Sequence, residues 1–593
     1  MLRGIFHICL LALFVLLPFS SAVSDVVLTG GVSAPSPWDH NVSPPTETAP
    51  SPTPTTSPPT ASPPSPCPAA APSPINNGSV SGDMTWWCNM TPHAETCSYY
   101  FRKSLNNNTN RSPRFRSEFL RMLVHIALDQ AVITHTQTVN FGRSCTNNQR
   151  KAAWSDCVKL FENTVAQLNR TLKGLNPSAS DDVKCTNFDA QTWLSTAQTN
   201  IETCRSGSED LNVSDFVMPA ISDKNLSDLI GNCLAVNGVL MKQHNHTTTA
   251  KHNKYFPSWV SRNERRLLVS PSLAKSRSHL VVALDRSGHF RSIQAAINFA
   301  ARRTVKSRFV IYVKKGVYRE NIDVGNDNHN IMLVGDGERK TIITSGRSVQ
   351  RGYTTYNSAT AGFGGQRFVA KDLTFINTAG PLRGQAVAVR SSSDLSVFYR
   401  VGIHGFQDTL YIHSQRQFFR ECYISGTIDF IFGNAAVVFQ NCMILVRKPL
   451  RGQANVITAQ SRGDPFQNTG ITIHSSRIIA ASDLRPVIRA YKTYLGRPWQ
   501  AYSRVTILKT YIDDSISPLG WSPWLRGSNF ALNTVFYGEY KNFGPGSSTR
   551  WRVRWKGFHA ISSAEVASRF TVGSLIAGGS WLPATGVPFK TGL

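Results

Sequence analysis

Acidic residues are scarce in this chain. Over 593 residues, 36 Asp and Glu stand against 63 Lys and Arg, a formal net charge of +27. So basic a surface favours polyanions. Several catalytic signatures are missing as well: there is no HExxH, no Walker loop, no dinucleotide-binding glycine fingerprint and no GxSxG elbow. Metal-dependent and serine-triad hydrolysis therefore lose ground to chemistry by carboxyl groups. None of the 11 cysteines has a zinc-ligand spacing. After one apolar run near the start no second of that kind follows, so no membrane anchor is expected.

What is present divides the chain in two. Arg3 precedes an apolar run from Ile5 to Phe19 closed by Ser20, Ser21 and Ala22, which reads as a secretory signal over 1–22. Residues 23–82 form a Pro/Ser/Thr-rich linker too poor in large apolar residues to pack. Cysteine use fits an oxidising compartment. Asn-x-Ser/Thr sequons at Asn77, Asn89, Asn107, Asn110, Asn169, Asn212, Asn225 and Asn245 have no counterpart later. Charge is concentrated in the opposite half, where residues from 269 onward hold about 41 Lys/Arg against about 17 Asp/Glu. A secreted basic protein meets an acidic polysaccharide or matrix rather than nucleic acid.

From 83 to 245 the apolar period is helical. Phe161, Val165, Leu168, Leu172 and Leu175 form one stripe, and Leu194, Ala197, Ile201 and Cys204 another. Four amphipathic helices predict an all-α four-helix bundle. Cys157 and Cys204 fall on buried stripes, so a helix-to-helix disulfide is possible. Residues 246–268 read as a second linker, in which the dibasic Arg265-Arg266 before Leu267-Leu268 is a candidate processing site. From 269 to 593, after a helix near "SIQAAINFAARR", short β-rich runs recur. Their first core residues, Phe368, Phe398, Phe419, Phe439, Ile473 and Ile507, are separated by about 20 residues or by that unit plus a loop. This is the spacing of a parallel β-helix. The runs lack the two-residue hairpins that a sandwich or propeller would use.

With a coil of about 20 residues, Asp408 and Asp429 lie on neighbouring coils, about 4.8 Å apart along the stack. Gln385 precedes Gln407 by one more coil. Two close carboxyls do not both ionise readily; one acts as general acid while the other stays charged as nucleophile or base. The amides can donate to an oxyanion. Arg497 is a candidate to hold the charged member, and Trp499 to stack on a sugar face.

The stretches "GVYRE", "QAVAVR", "QDTLY", "DFIFGN" and "LGRPW" resemble, in order and separation, the signatures of plant pectin methylesterases over roughly 279–590. The bundle resembles the invertase and pectin methylesterase inhibitor domain, on "CNMTPHAETC", "SDC" and "TWLSTAQTNIETC", and "RRLL" resembles the processing motif between the two. The resemblance implies an all-β right-handed parallel β-helix that hydrolyses methyl esters of homogalacturonan to pectate and methanol, without metal or organic cofactor. Carried over, Asp429 is the nucleophile and Asp408 the proton donor and acid-base. Gln407 and Gln385 stabilise the oxyanion, Arg497 orients the nucleophile, and Gln385, Arg497 and Trp499 bind substrate. Implied disulfides are Cys422–Cys442, Cys88–Cys97 and Cys157–Cys204. Implied partners are pectin, the intramolecular inhibitor-like pro-domain and a processing protease; the implied location is the cell wall or apoplast.

Val401 stands where many relatives have Cys and Phe406 where Tyr is usual, and "VALDRSGHF" replaces a more common Asp-Gly-Ser-Gly run. Cys67, Cys145, Cys185 and Cys233 have no assigned partners. Alternatives on the same scaffold are a pectate lyase, a glycosidase, or a non-catalytic wall protein that holds pectin while its bundle inhibits other esterases.

Overall fold

The structure, a computed structural model, describes residues 84–105, 112–221, 224–245, 278–304 and 307–593. The expected signal, both linkers, Cys67 and the site at Arg265, Arg266, Leu267 and Leu268 lie outside the described residues. Seven helices come first: α1 (Met84–Asn89), α2 (Ala94–Leu105), α3 (Arg116–Phe141), α4 (Asn148–Gly174), α5 (Asn187–Asp210), α6 (Ser214–Ile221) and α7 (Lys224–Asn245). The four long ones, α3, α4, α5 and α7, make the bundle. Their starts are written locally. Asn147 caps α4 by accepting from the Arg150 amide, and Thr186 with Asp189 forms a reciprocal capping box on α5. Phe161, Leu168, Leu194, Ala197 and Ile201 are buried in one apolar core, with Val165, Leu172 and Leu175 packed against it. The Cys157–Cys204 disulfide joins α4 to α5 across that core, and Cys88–Cys97 joins α1 to α2.

The second half is a stack of parallel strands: a 17-stranded sheet and a 7-stranded sheet, with parallel pairing throughout. Each coil places an apolar side chain inward at one register position, so Phe398, Phe419, Phe439, Ile473 and Ile507 form a continuous ladder. Ring centroids along it are 4.5 and 4.7 Å apart, so the spacing between strands is also a stacking distance for aromatics. Phe368 is not in the ladder; Phe398 pairs with Ala370, and Phe368 sits two residues earlier, stacked on Phe363. Helix α8 (Ile293–Ala301) packs its buried Ile293, Ala296, Ile297 and Ala300 into the same core.

The expected Cys422–Cys442 bridge is not formed; both are free, buried thiols. They occupy equivalent places on adjacent coils, just before the paired residues Tyr423 and Met443. Each donates instead to a carbonyl of a preceding coil, Cys422 to Phe398 and Cys442 to Phe419. Cys145, Cys185 and Cys233 are also free, and Val401 is an ordinary core residue.

Helix α5 is buried on more than one side. Its apolar stripe faces the bundle, while Thr192, Ser195, Thr199 and Thr203 are buried against the β-helix. Burying hydroxyls is tolerable only because each has a partner. The anchor is ionic. Arg416 of the β-helix donates to Asp189 of α5 at 2.7 Å and to Asp394 of its own half at 2.8 Å. The Trp193 indole donates to Asp394 as well, and Arg170 of α4 lies 3.7 Å over the Trp193 ring.

Candidate active site

The 7-stranded sheet carries the site. Its strands Leu410–Ile412, Ile431–Gly433, Asn455–Gln460 and Thr493–Pro498 stack in sequence order, with Leu410 opposite Ile431. Asp408 and Asp429 each precede their strand by two residues, so the register sets them on adjacent coils at equivalent positions. Both backbones are left-handed there, with φ of 59° and 49°. Asp tolerates this conformation better than most residues, at a cost on the order of 1 kcal/mol. The repeat of an unfavoured geometry at two successive coils marks the pair as a built feature of the turn.

Arg497 arrives by the same ladder. Tyr411 pairs with Phe432, Phe432 with Ala459 and Ala459 with Arg497. The guanidinium reaches back over this stack, its Nε 2.9 and 3.1 Å from the two Asp429 oxygens, and its Nη2 donates as well. The Trp524 ring packs on its face at 4.3 Å and the Trp524 carbonyl accepts from Nη1. Arg497 is thus fixed on both sides.

Burial raises both carboxyls above the usual range, but their surroundings then part company. For Asp408 the neighbouring carboxylates of Asp429 and Asp210 add to the rise, and only the charge of Arg497 opposes it. For Asp429 the charge and hydrogen bonds of Arg497 both pull downward. Arg497 therefore favours the ionised form at Asp429 over that at Asp408.

These groups line a cavity of about 440 Å³ that also contains Gln385, Gln407, Trp499 and Trp524. Both glutamines are half-buried, and neither amide has a side-chain hydrogen bond among the described residues. Two N–H donors are thus free to meet an oxygen held in the cavity. Tyr411 stacks on Phe432 at 4.3 Å, with Trp499 packed beyond them, giving the cavity one aromatic wall. All six residues expected from the sequence, Asp408, Asp429, Gln385, Gln407, Arg497 and Trp499, are brought together here. No group of three His, Cys, Asp or Glu able to hold a metal ion occurs among the described residues.

The sequence reading missed the cavity's other wall. It consists of Thr203, Ser206, Gly207, Glu209 and Asp210 at the C-terminal end of α5. Asp210 accepts from the Thr355 amide at 2.8 Å, and Thr203 lies 2.9 Å from His413 Nε2. Tyr356, Tyr411 and Trp524 were missed too. The available signal was the row of hydroxyls Thr192, Ser195, Thr199, Thr203 and Ser206 at helical spacing, a polar face with too few charges for a solvated one.

Comparison with known proteins places both halves. Residues 279–579 match the pectinesterase family, and residues 83–236 match the plant invertase/pectin methylesterase inhibitor family. The chain is 90% identical over 594 residues to "Probable pectinesterase/pectinesterase inhibitor 33" of Arabidopsis thaliana, covering 100% of both. It is 49% identical over 507 residues to "Pectinesterase 2" of Citrus sinensis, covering 86% of this chain and 94% of that protein. Among solved structures, the pectin methylesterase from carrot superposes with a TM-score of 0.52 at 55% identity, over 53% of this chain and 98% of the carrot chain.

Proposed function

Because the chain belongs to the pectinesterase family and joins that module to an inhibitor-family bundle, we propose that it hydrolyses methyl esters of homogalacturonan to pectate and methanol, using Asp429 as nucleophile, and that its own bundle covers the site until removed. The observation that carries the reading is the Asp408/Asp429 pair, equivalent in the fold yet made unequal by Arg497, which donates to Asp429 and favours its charged form. An Asp429 oxygen attacks the ester carbonyl carbon. The oxyanion that forms accepts from the free amides of Gln385 and Gln407, which act where charge develops. The carbon–methoxy bond then breaks, the leaving oxygen takes the Asp408 proton, and methanol departs from an acyl-enzyme anhydride. Asp408, now a carboxylate, takes a proton from water as that water attacks the anhydride. The attack frees the uronate, restores Asp429 and returns the proton to Asp408.

The basic β-helix supports a polyanionic substrate, and the aromatic wall supports sugar stacking. The bundle supports control: α5 forms one side of the catalytic cavity, where a polymer would have to lie. Cleavage at Arg265-Arg266-Leu267-Leu268 by a processing protease, followed by departure of the bundle, opens the groove. We place the active form outside the cell, in the wall. The test is methanol release from highly methylated pectin, with a chelator present, by the processed wild type and by Asp429→Asn. Release that survives chelation and falls about a thousandfold or more in the variant is expected for loss of a nucleophile. An Asp429→Asn protein that keeps its activity removes the mechanism.

A further inference from the structure

Helix α5 makes two kinds of contact with the β-helix. At its N-terminal end Asp189 meets the Arg416 guanidinium, as expected of an acid docking on a basic surface. At its C-terminal end Asp210 is different. It lies among the catalytic groups, its two hydrogen bonds come from the Thr355 amide and hydroxyl, and no cation among the described residues offsets its charge. Simple docking gains little from a carboxylate there, since burial disfavours its charge, Glu209 adds a like charge, and Asp408 feels it as another. What the groove does offer is a pair of donors, the Thr355 amide and hydroxyl, that would meet a uronate carboxylate as they meet Asp210.

The rest of the stripe has the matching chemistry. Thr203, two turns before Asp210 and about 10.5 Å along the axis, sets its hydroxyl between His413 Nε2 at 2.9 Å and the Tyr411 hydroxyl at 3.4 Å. Thr199, one turn further, accepts from the Asn434 amide at 2.9 Å. Burial drives the His413 imidazole down to about 3, so it meets Thr203 as a neutral ring. Neutral ring, phenol and amide are the groups that recognise sugar hydroxyls.

We propose that α5 is a glycan mimic: Thr199 and Thr203 stand where sugar hydroxyls bind, and Asp210 stands where a free uronate carboxylate binds. Asn434, His413 and the Thr355 amide are then recognition positions of the substrate groove as well as docking positions of the bundle. This rests on the homogalacturonan reading above and extends it to residues outside the catalytic set.

The two sides of the contact can be separated by the sign of their effects. A residue that only docks the bundle, on either side, loosens α5 when truncated and so improves access for a glycan. A residue that also binds glycan does not. The experiment titrates the full chain with fully de-esterified hexagalacturonate, with neutral maltohexaose as control, by calorimetry. Methanol release from methylated pectin by the processed protein, freed of its bundle, is followed in parallel. Asp210→Ala should tighten hexagalacturonate by about tenfold or more, the scale of a lost hydrogen bond to a charge, and leave maltohexaose unchanged; Asp210→Asn, which keeps the shape, should move the same way by less. Asn434→Ala and His413→Ala should not tighten it alone, and each should weaken it about tenfold when added to Asp210→Ala. Tightening by the groove-side variants equal to that from Asp210→Ala overturns the proposal, as does an unchanged affinity in both Asp210 variants. Absence of methanol release from the processed protein, with these affinity shifts intact in the full chain, would reject the esterase reading alone.

Discussion

Two carboxyls at equivalent places on adjacent coils differ in one neighbour, and that neighbour assigns their chemistry. Arg497 holds Asp429 by both oxygens, whereas at Asp408 burial and like charges are opposed only by the unbonded charge of Arg497. Asp429 thus has a cationic partner 68 residues away in sequence, brought to it by two register steps, Phe432 to Ala459 and Ala459 to Arg497. Gln407→Ala should lower kcat by about a hundredfold or more and leave KM nearly unchanged, because the donor acts on charge that exists only in the transition state. Steady-state kinetics on methylated pectin checks it, and a change confined to KM would make Gln407 a substrate-binding residue instead.

At the scale of elements, the coil was legible because one inward aromatic or Ile recurs per turn of chain. Phe398, Phe419, Phe439, Ile473 and Ile507, chosen from sequence as the starts of successive runs, are register partners in the structure. The same period set Asp408 beside Asp429. Phe368 misled because an aromatic two residues ahead of the ladder keeps the alternation of a strand while sitting in the preceding turn. Cys422 and Cys442 misled for a related reason: in-register stacking brings two thiols near each other, and each has a carbonyl of a preceding coil to satisfy it. Trp524 could not be placed, since it lies in an irregular loop outside the coil count. The polar face of α5 was hidden by a general ambiguity. A hydroxyl stripe looks alike whether it faces water or a partner's hydrogen-bonding groups, and only the fold shows that its partners are Asn468, Asn434 and His413.

Over the whole molecule, the two halves are held by charge, and part of that charge titrates. Asp156 of α4 is buried against Thr354 of the β-helix, which donates to one of its oxygens, while the other oxygen has no partner. Burial raises it to about 6, against the hydrogen bond of Thr354 and the more distant charges of Arg390 and Lys159; Asp210 nearby adds to the rise. An acid whose pKa is higher docked than free takes up a proton on docking. Docking is then strongest below the free carboxyl's range, weakens up to tenfold per pH unit between about 4 and about 6, and is level above that. Across the window the bundle should loosen by about a hundredfold, and Asp156→Asn should remove most of that slope. Hydrogen exchange of α5 in the intact chain, followed against pH, reads it; equal slopes in both proteins would show that Asp156 does not control docking. Whether the bundle governs a carboxyl-catalysed esterase is read from the initial rate of methanol release from methylated pectin by the intact chain and by the chain cut between its helical and β-helical halves and freed of the bundle. The intact chain should run near background and the freed β-helical half should turn over, with that turnover abolished by Asp429→Asn. Equal rates before and after removal of the bundle would contradict control by the bundle.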